Sequence, residues 1–182
     1  MRYKLFGVIG ILLLNILPSL AQNLKMPFRD VGACPFECCT YREWTATKDT
    51  VLLKNMSDGA TIVFKVRKGE KVEGVTGVVI TTEAGIGRAA RNTTLEYYDK
   101  KKNEMVNVGI KKGERFLIFT YLGEGNYKVW YKGRMLQGSL DHPSLKKISQ
   151  PKSVWWVKIK NRKGRTGWTK LTGNFDNTDS CG

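Results

Sequence analysis

The chain has a single histidine, five prolines and four cysteines in 182 residues. One histidine leaves little for metal or acid–base enzymes that rely on imidazole groups. Five prolines beside 19 glycines exclude a collagen-like or low-complexity chain and point to many tight turns. Acidic side chains are also scarce, 16 against 31 basic, for a formal charge of +15. Beyond the N-terminal stretch no apolar run approaches the roughly 20 residues of a membrane-spanning helix. Nor does any window there show a 3.6-residue period. Hydrophobic residues still make up 41% and aromatics 10%, enough for a buried core, so a disordered chain is excluded. At this length one or two small domains fit.

What is present begins with an export address. Arg2 and Lys4 precede an apolar run over 5–17, Pro18 ends it, and Ser19-Leu20-Ala21 supplies the small residues of a cleavage site before Gln22. Val31-Gly32-Ala33-Cys34 resembles a lipoprotein box, but Arg29 and Asp30 separate it from the apolar run. Removing residues 1–21 takes away two basic residues and no acid, leaving 29 basic against 16 acidic, or +13. The mature chain is expected to be exported, monomeric and without a transmembrane segment.

Export makes the cysteines Cys34, Cys38, Cys39 and Cys181 a disulfide set. Bridging the neighbours Cys38 and Cys39 needs a strained ring. Both remaining pairings tie Cys181 to Cys38 or Cys39 and put the second bridge at Cys34. A zinc or redox site lacks the paired C-x-x-C or nearby histidine it would need.

Beyond residue 43 short β-branched or aromatic runs alternate with turn signals such as Ser57-Asp58-Gly59, Lys112-Gly113 and Gly123-Glu124-Gly125-Asn126. Strands are expected at 50–54, 60–66, 70–75, 78–82, 95–98, 105–110, 115–122, 127–132, 154–160 and 165–171. This is an all-β pattern of small barrels or a sandwich. A repeat runs through it. Val66-Arg67-Lys68-Gly69-Glu70-Lys71-Val72 matches Ile110-Lys111-Lys112-Gly113-Glu114-Arg115-Phe116 class for class, each a strand end, a turn with glycine at a positive φ, and a new strand.

The Lys-Gly-Glu turn, with Lys163-Gly164-Arg165-Thr166-Gly167-Trp168-Thr169 later on, resembles the bacterial SH3 (SH3b) family of exported binding modules. The resemblance implies one or two small SH3-like β-barrels with ends stapled by disulfides, and binding of cell-wall peptides or glycans without catalysis or a cofactor. It divides the chain into a signal peptide (1–21), a cysteine-containing segment (22–43), a first SH3-like unit (44–93), a second barrel (94–176) and a tail carrying Cys181 (177–182). Gly167 and Trp168 would then be core residues of the second barrel. The first half lacks a Gly-Trp closing strand, and Thr76-Gly77-Val78-Val79 is the candidate substitute.

Catalytic patterns fail on inspection. Ser139, Asp141 and His142 share one polar insert, whereas a triad is assembled across a fold. Asp176-Asn177-Thr178-Asp179 lacks the later glutamate of a calcium loop. The remaining candidate is a cationic, aromatic face. Alternation puts Tyr127, Val129 and Tyr131 inward and Lys128, Trp130 and Lys132 outward. It likewise puts Trp155, Val157 and Ile159 inward and Trp156, Lys158 and Lys160 outward. Two tryptophans beside four lysines would stack on sugars and neutralise anionic groups of a cell-envelope polymer; the other reading is that Trp130 and Trp156 fill the barrel cores and the lysines only solubilise the edges. A protein partner is the alternative, and nucleic acid is not expected for an exported chain.

Overall fold

The computed structural model describes residues 24–99 and 102–181. The export segment and the cleavage point before Gln22 lie outside the described residues. Among those described there is no helix long and apolar enough to cross a membrane. The chain is all-β, with two curled sheets.

Strands β1 (Phe28–Val31), β2 (Glu43–Ala46), β3 (Thr50–Leu53), β4 (Ile62–Val66) and β5 (Lys71–Glu83) open the chain. β6 (Gly85–Ala89), β7 (Thr93–Asp99), β8 (Glu104–Ile110), β9 (Arg115–Gly123), β10 (Asn126–Tyr131), β11 (Arg134–Ser139) and β12 (Leu145–Ser149) follow. β13 (Lys152–Lys160), β14 (Thr166–Lys170) and β15 (Phe175–Asp176) close it. The runs expected at 70–75 and 78–82 are one continuous strand. Gly74 and Gly77 inside it are close approaches rather than breaks: a Cβ on Gly74 would lie 2.8 Å from the Trp44 ring, and one on Gly77 would meet Trp155 and Tyr41.

One sheet runs β15-β2-β5-β13-β14-β3-β4, with β1 added beside β5. The other runs β12-β6-β9-β10-β11-β7-β8. Place for place the two orders are the same, so the molecule is a duplication in which the second unit (85–149) is nested between β5 and β13 of the first. The repeat seen in the sequence is reproduced bond for bond. The Gly69 and Gly113 amides donate to the Ala46 and Ala89 carbonyls, each at 2.8 Å. The Lys68 and Lys112 amides donate to Asp49 Oδ1 and Asn92 Oδ1, each at 2.9 Å. Both glycines have positive φ, 83° and 88°.

Nesting corrects the expected division at 93/94. β13 and β14 pair with β5 and β3, not with strands of the second half. The Gly-Trp strand missing from the first half is therefore β14 itself, and Thr76–Val79 is not a substitute but the middle of β5. The sequence hides this because its two closing strands are separated from their partners by the whole inserted unit.

Each unit has its own core. Trp44, Leu52, Val66, Val157 and Ile159 anchor the first. Phe116, Ile118, Val129, Tyr131 and Leu136 anchor the second. Both inward faces read from alternation are thus inward. Gly167 is buried, and a Cβ there would sit 2.7 Å from Leu52 Cβ. Trp168 departs from expectation: it is half-buried and on the outer face, because Gly167 and Thr169 are the residues of β14 that turn inward. The disulfides are Cys34–Cys39 and Cys38–Cys181, with Cα separations of 5.4 and 5.6 Å.

Candidate functional site

The six residues expected to form a cationic aromatic face do not form one surface. Trp130, Lys128 and Lys132 belong to the nested unit, whereas Trp156, Lys158 and Lys160 belong to the outer one. Three of the four lysines are already neutralised. Lys128 lies 2.7 Å from Asp30, Lys132 2.8 Å from Glu114, and Lys160 2.7 Å from Glu73. Lys158 instead sits 6.0 Å from the centre of the Trp168 ring.

Trp156 points away from the core as alternation requires, yet it is 4% exposed and not free to stack on a ligand. Its cross-strand neighbours are Val78 and Lys170, and the Lys170 ammonium lies 5.4 Å from its ring centre. Lys170 is held there by Asp58 at 2.6 Å, in the turn between β3 and β4. Trp130 is half-buried between Leu117 and Met135, its cross-strand partners, and its Nε1 is buried.

The outward face of β9 and β10 is occupied because β1 crosses to it. β1 bonds β5 of the outer unit in register Asp30 to Val79. Its Phe28 ring packs 4.9 Å from that of Phe119, and its Asp30 binds Lys128. Where the two units meet beside this contact they leave a cleft of about 360 Å³. The nested unit lines it with Phe119, Tyr121 and Tyr127, and the rest of the chain with Trp155, Pro35 and Pro151. The Tyr121 and Tyr127 rings are 5.0 Å apart and inclined by 54°. Tyr121 is 37% exposed, so one aromatic face of the cleft is open to solvent. Lys147 Nζ donates to the Tyr127 hydroxyl at 3.1 Å, placing a cation beside these rings. The sequence did not reveal this cleft, because its walls come from strands of both units, although Tyr127 and Trp155 were read as inward-facing.

Other candidates resolve into structure. His142 Nδ1 accepts the Ser144 amide at 3.2 Å, and Ser139 Oγ accepts the Asp141 amide at 3.4 Å, both bonds within one turn. Glu37, Cys38 and Cys181 lie together, but both sulfurs are spent on their mutual disulfide. Tyr41 is the shifted phenol of the outer unit, pushed up to about 12 by burial under Trp44 and Trp155.

No family model, curated protein or solved structure matches the chain.

Proposed function

We propose that the chain is an exported, non-catalytic binding protein, built from two nested SH3-like units, that takes a glycan or peptidoglycan segment of the cell envelope. The observation that carries the reading is the aromatic cleft between the units. Rings from both units, one of them solvent-open, with polar groups from Gln150 and Ser153 in the lining, are what a sugar ring needs to stack and be oriented. The strand order supports the SH3-like build: a five-strand path with a hairpin that follows the unit's first strand in sequence and extends the far end of the sheet, present twice. The disulfides and the apolar N-terminal address support export.

The reading is tested by titrating soluble peptidoglycan fragments into the protein and following tryptophan fluorescence, since Trp155 lines the cleft. Tyr121→Ala is expected to weaken binding at least several-fold with the fold unchanged, by loss of a stacking face. Fragment binding that ignores Tyr121→Ala removes the cleft from the reading. A protein partner is the second reading, favoured by Tyr98 and Met105, a cross-strand pair 49% and 48% exposed on the β7–β8 hairpin. Tyr98→Ala would then abolish the partner complex and leave fragment binding intact.

A further inference from the structure

The duplication supplies an internal comparison, and the two units differ most informatively at one hairpin. In the nested unit Tyr131 pairs with Arg134 across a two-residue loop, Lys132-Gly133. Tyr131 and Lys132 then close on Glu114 of the repeated turn: the phenol donates to Oε2, and the ammonium lies 2.8 Å from Oε1. The Lys111 amide donates to the same carboxylate at 2.7 Å. Hairpin and turn are thus locked together.

In the outer unit the corresponding pair is Lys160 with Thr166, and the loop between them is five residues, 161–165. Lys160 turns to Glu73 instead, at 2.7 Å. Glu70, the counterpart of Glu114, has no side-chain bond or ion pair among the described residues. The hairpin and turn stand apart, and between them lies an open groove of about 820 Å³.

The longer loop is a rigid one. Asn161 Oδ1 accepts both the Lys163 and Arg165 amides at 3.0 Å, and the Asn161 carbonyl accepts the Gly164 amide at 2.9 Å. Its Arg162, Lys163 and Arg165 line the groove together with Lys65 of β4 and Lys71, against a single carboxylate, Glu70. Arg165 is partly committed, since it donates to the Val63 carbonyl and lies over the Phe64 ring at 5.4 Å. Lys65, Arg162 and Lys163 form no ion pair among the described residues, and Arg162 acts on the Glu43 carboxylate only at longer range. The apolar residues lining the groove, Phe64 and Val72, are 8% and 4% exposed, so it offers neither a ring for a base to stack on nor a pocket for a peptide side chain.

From this geometry we infer that the groove between the 161–165 loop and the Lys68-Gly69 turn is a binding site for an acidic polysaccharide, held through its sulfate or carboxylate groups by Lys65, Arg162 and Lys163. Such a polymer presents regularly spaced anions and asks for no apolar anchor, and because the loop backbone is already held, binding has to order only the cationic side chains. Arg162 adds the forked donor geometry that suits both oxyanions. The site lies apart from the aromatic cleft and stands or falls without it.

The test immobilises heparin (sulfated) and polygalacturonate (carboxylated) and measures binding of the full exported protein at several salt concentrations. Poly-glutamate and a thymidine oligonucleotide serve as the competing chemistries. The triple variant Lys65→Ala/Arg162→Ala/Lys163→Ala is expected to lose at least tenfold in affinity for one or both polysaccharides at low salt, with a shallower salt dependence. Lys111→Ala/Lys112→Ala/Lys146→Ala removes the same charge from the nested unit and is expected to stay within twofold of the parent. The preferred polysaccharide identifies the oxyanion. Equal losses in the two variants would show diffuse charge attraction and overturn the site. Failure of the parent protein to bind either polysaccharide overturns it too, and tighter binding of poly-glutamate or the oligonucleotide overturns the occupant.

Discussion

Lys128 and Asp30, 98 positions apart, form the ion pair that ties the nested unit to the outer one. The Asp30 side chain is 8% exposed and that of Lys128 32%, and the distance is 2.7 Å. Asp30 comes with β1, whose backbone bonds are spent on β5, so the pair fixes how the two sheets meet beside the cleft. Removing the ammonium leaves this buried carboxylate without its counter-charge.

Lys128→Ala is therefore expected to destabilise the protein by about 3–5 kcal/mol, the cost of stranding a buried charge. Asp30→Asn combined with Lys128→Met should recover most of that loss, since neither charge is then buried. Urea unfolding of the single and double variants measures both. A Lys128→Ala protein as stable as the parent would mean that the pair is solvated and does not hold the units together.

Two tryptophans that look alike in sequence separate sharply in the structure. Trp44 is fully buried, with Tyr41 and Phe175 rings 5.7 and 5.8 Å away. Trp44→Ala is expected to cost about 3–5 kcal/mol through the cavity it leaves. Trp168, half-buried on the outer face under Lys158, should cost roughly 1–2 kcal/mol for the apolar area lost. Thermal unfolding of the two variants side by side decides the order. A larger loss for Trp168→Ala would restore it to the core.

How much of this was legible depends on how local the information is. The Lys-Gly-Glu turns, most strands and both inward faces were readable, since glycine at positive φ and a period of two are written in consecutive residues. The nesting was not, because β5 finds β13 across 68 intervening residues and nothing in either strand names its partner. The fate of the site lysines was equally hidden. Lys128 and Lys160 look alike in their strands, but one meets Asp30 from the distant β1 and the other meets Glu73 across the insertion. Alternation puts Trp156 on the correct face, yet its exposure depends on whether the β3–β4 turn delivers Asp58 to Lys170. Likewise, Glu70 and Glu114 share a motif, and it is the remote hairpins, one with Tyr131 and a two-residue loop, the other with Lys160 and a five-residue loop, that leave one locked and the other open.

That lock has a pH signature. Hydrogen bonds from Lys132, Tyr131 and the Lys111 amide pull Glu114 down to about 2, well below an ordinary glutamate. The folded state therefore favours the ionised carboxylate. Its contribution is complete above the unfolded value, about 4.3, and is lost as pH falls from there toward 2. Glu114→Gln should be less stable than the parent at neutral pH, and the gap should narrow across that acid window. Unfolding curves at pH 7, 4 and 2.5 test this, and a constant gap would show that the carboxylate charge plays no part in the lock.

β15 pairs only with β2, and the tail beyond it returns along 38–42: the Thr40 amide donates to the Thr178 carbonyl at 3.0 Å, the Ser180 amide to the Cys38 carbonyl at 2.8 Å, and Arg42 to Asn177 and Asp179. These bonds lie on the partly exposed rim of the outer unit, and the Cys38–Cys181 bridge holds them together across a separation of 143 residues. The chain-entropy relation assigns a loop of that size about 5 kcal/mol, against about 2 kcal/mol for the separation of five between Cys34 and Cys39. Cys38→Ser/Cys181→Ser is thus expected to lose more stability than Cys34→Ser/Cys39→Ser, and to lose it unevenly. β2, β5, β13 and β15 need the chain ends to be brought together, whereas the nested unit is continuous from 85 to 149 and has its own core. Hydrogen exchange of the Cys38→Ser/Cys181→Ser protein should therefore rise first in the outer sheet, around Trp44 and Phe175, while β9 and β10 keep their protection. Simultaneous loss in both sheets would show instead that the Lys128–Asp30 contact couples the units into one cooperative fold, and that the nested unit does not stand without its host.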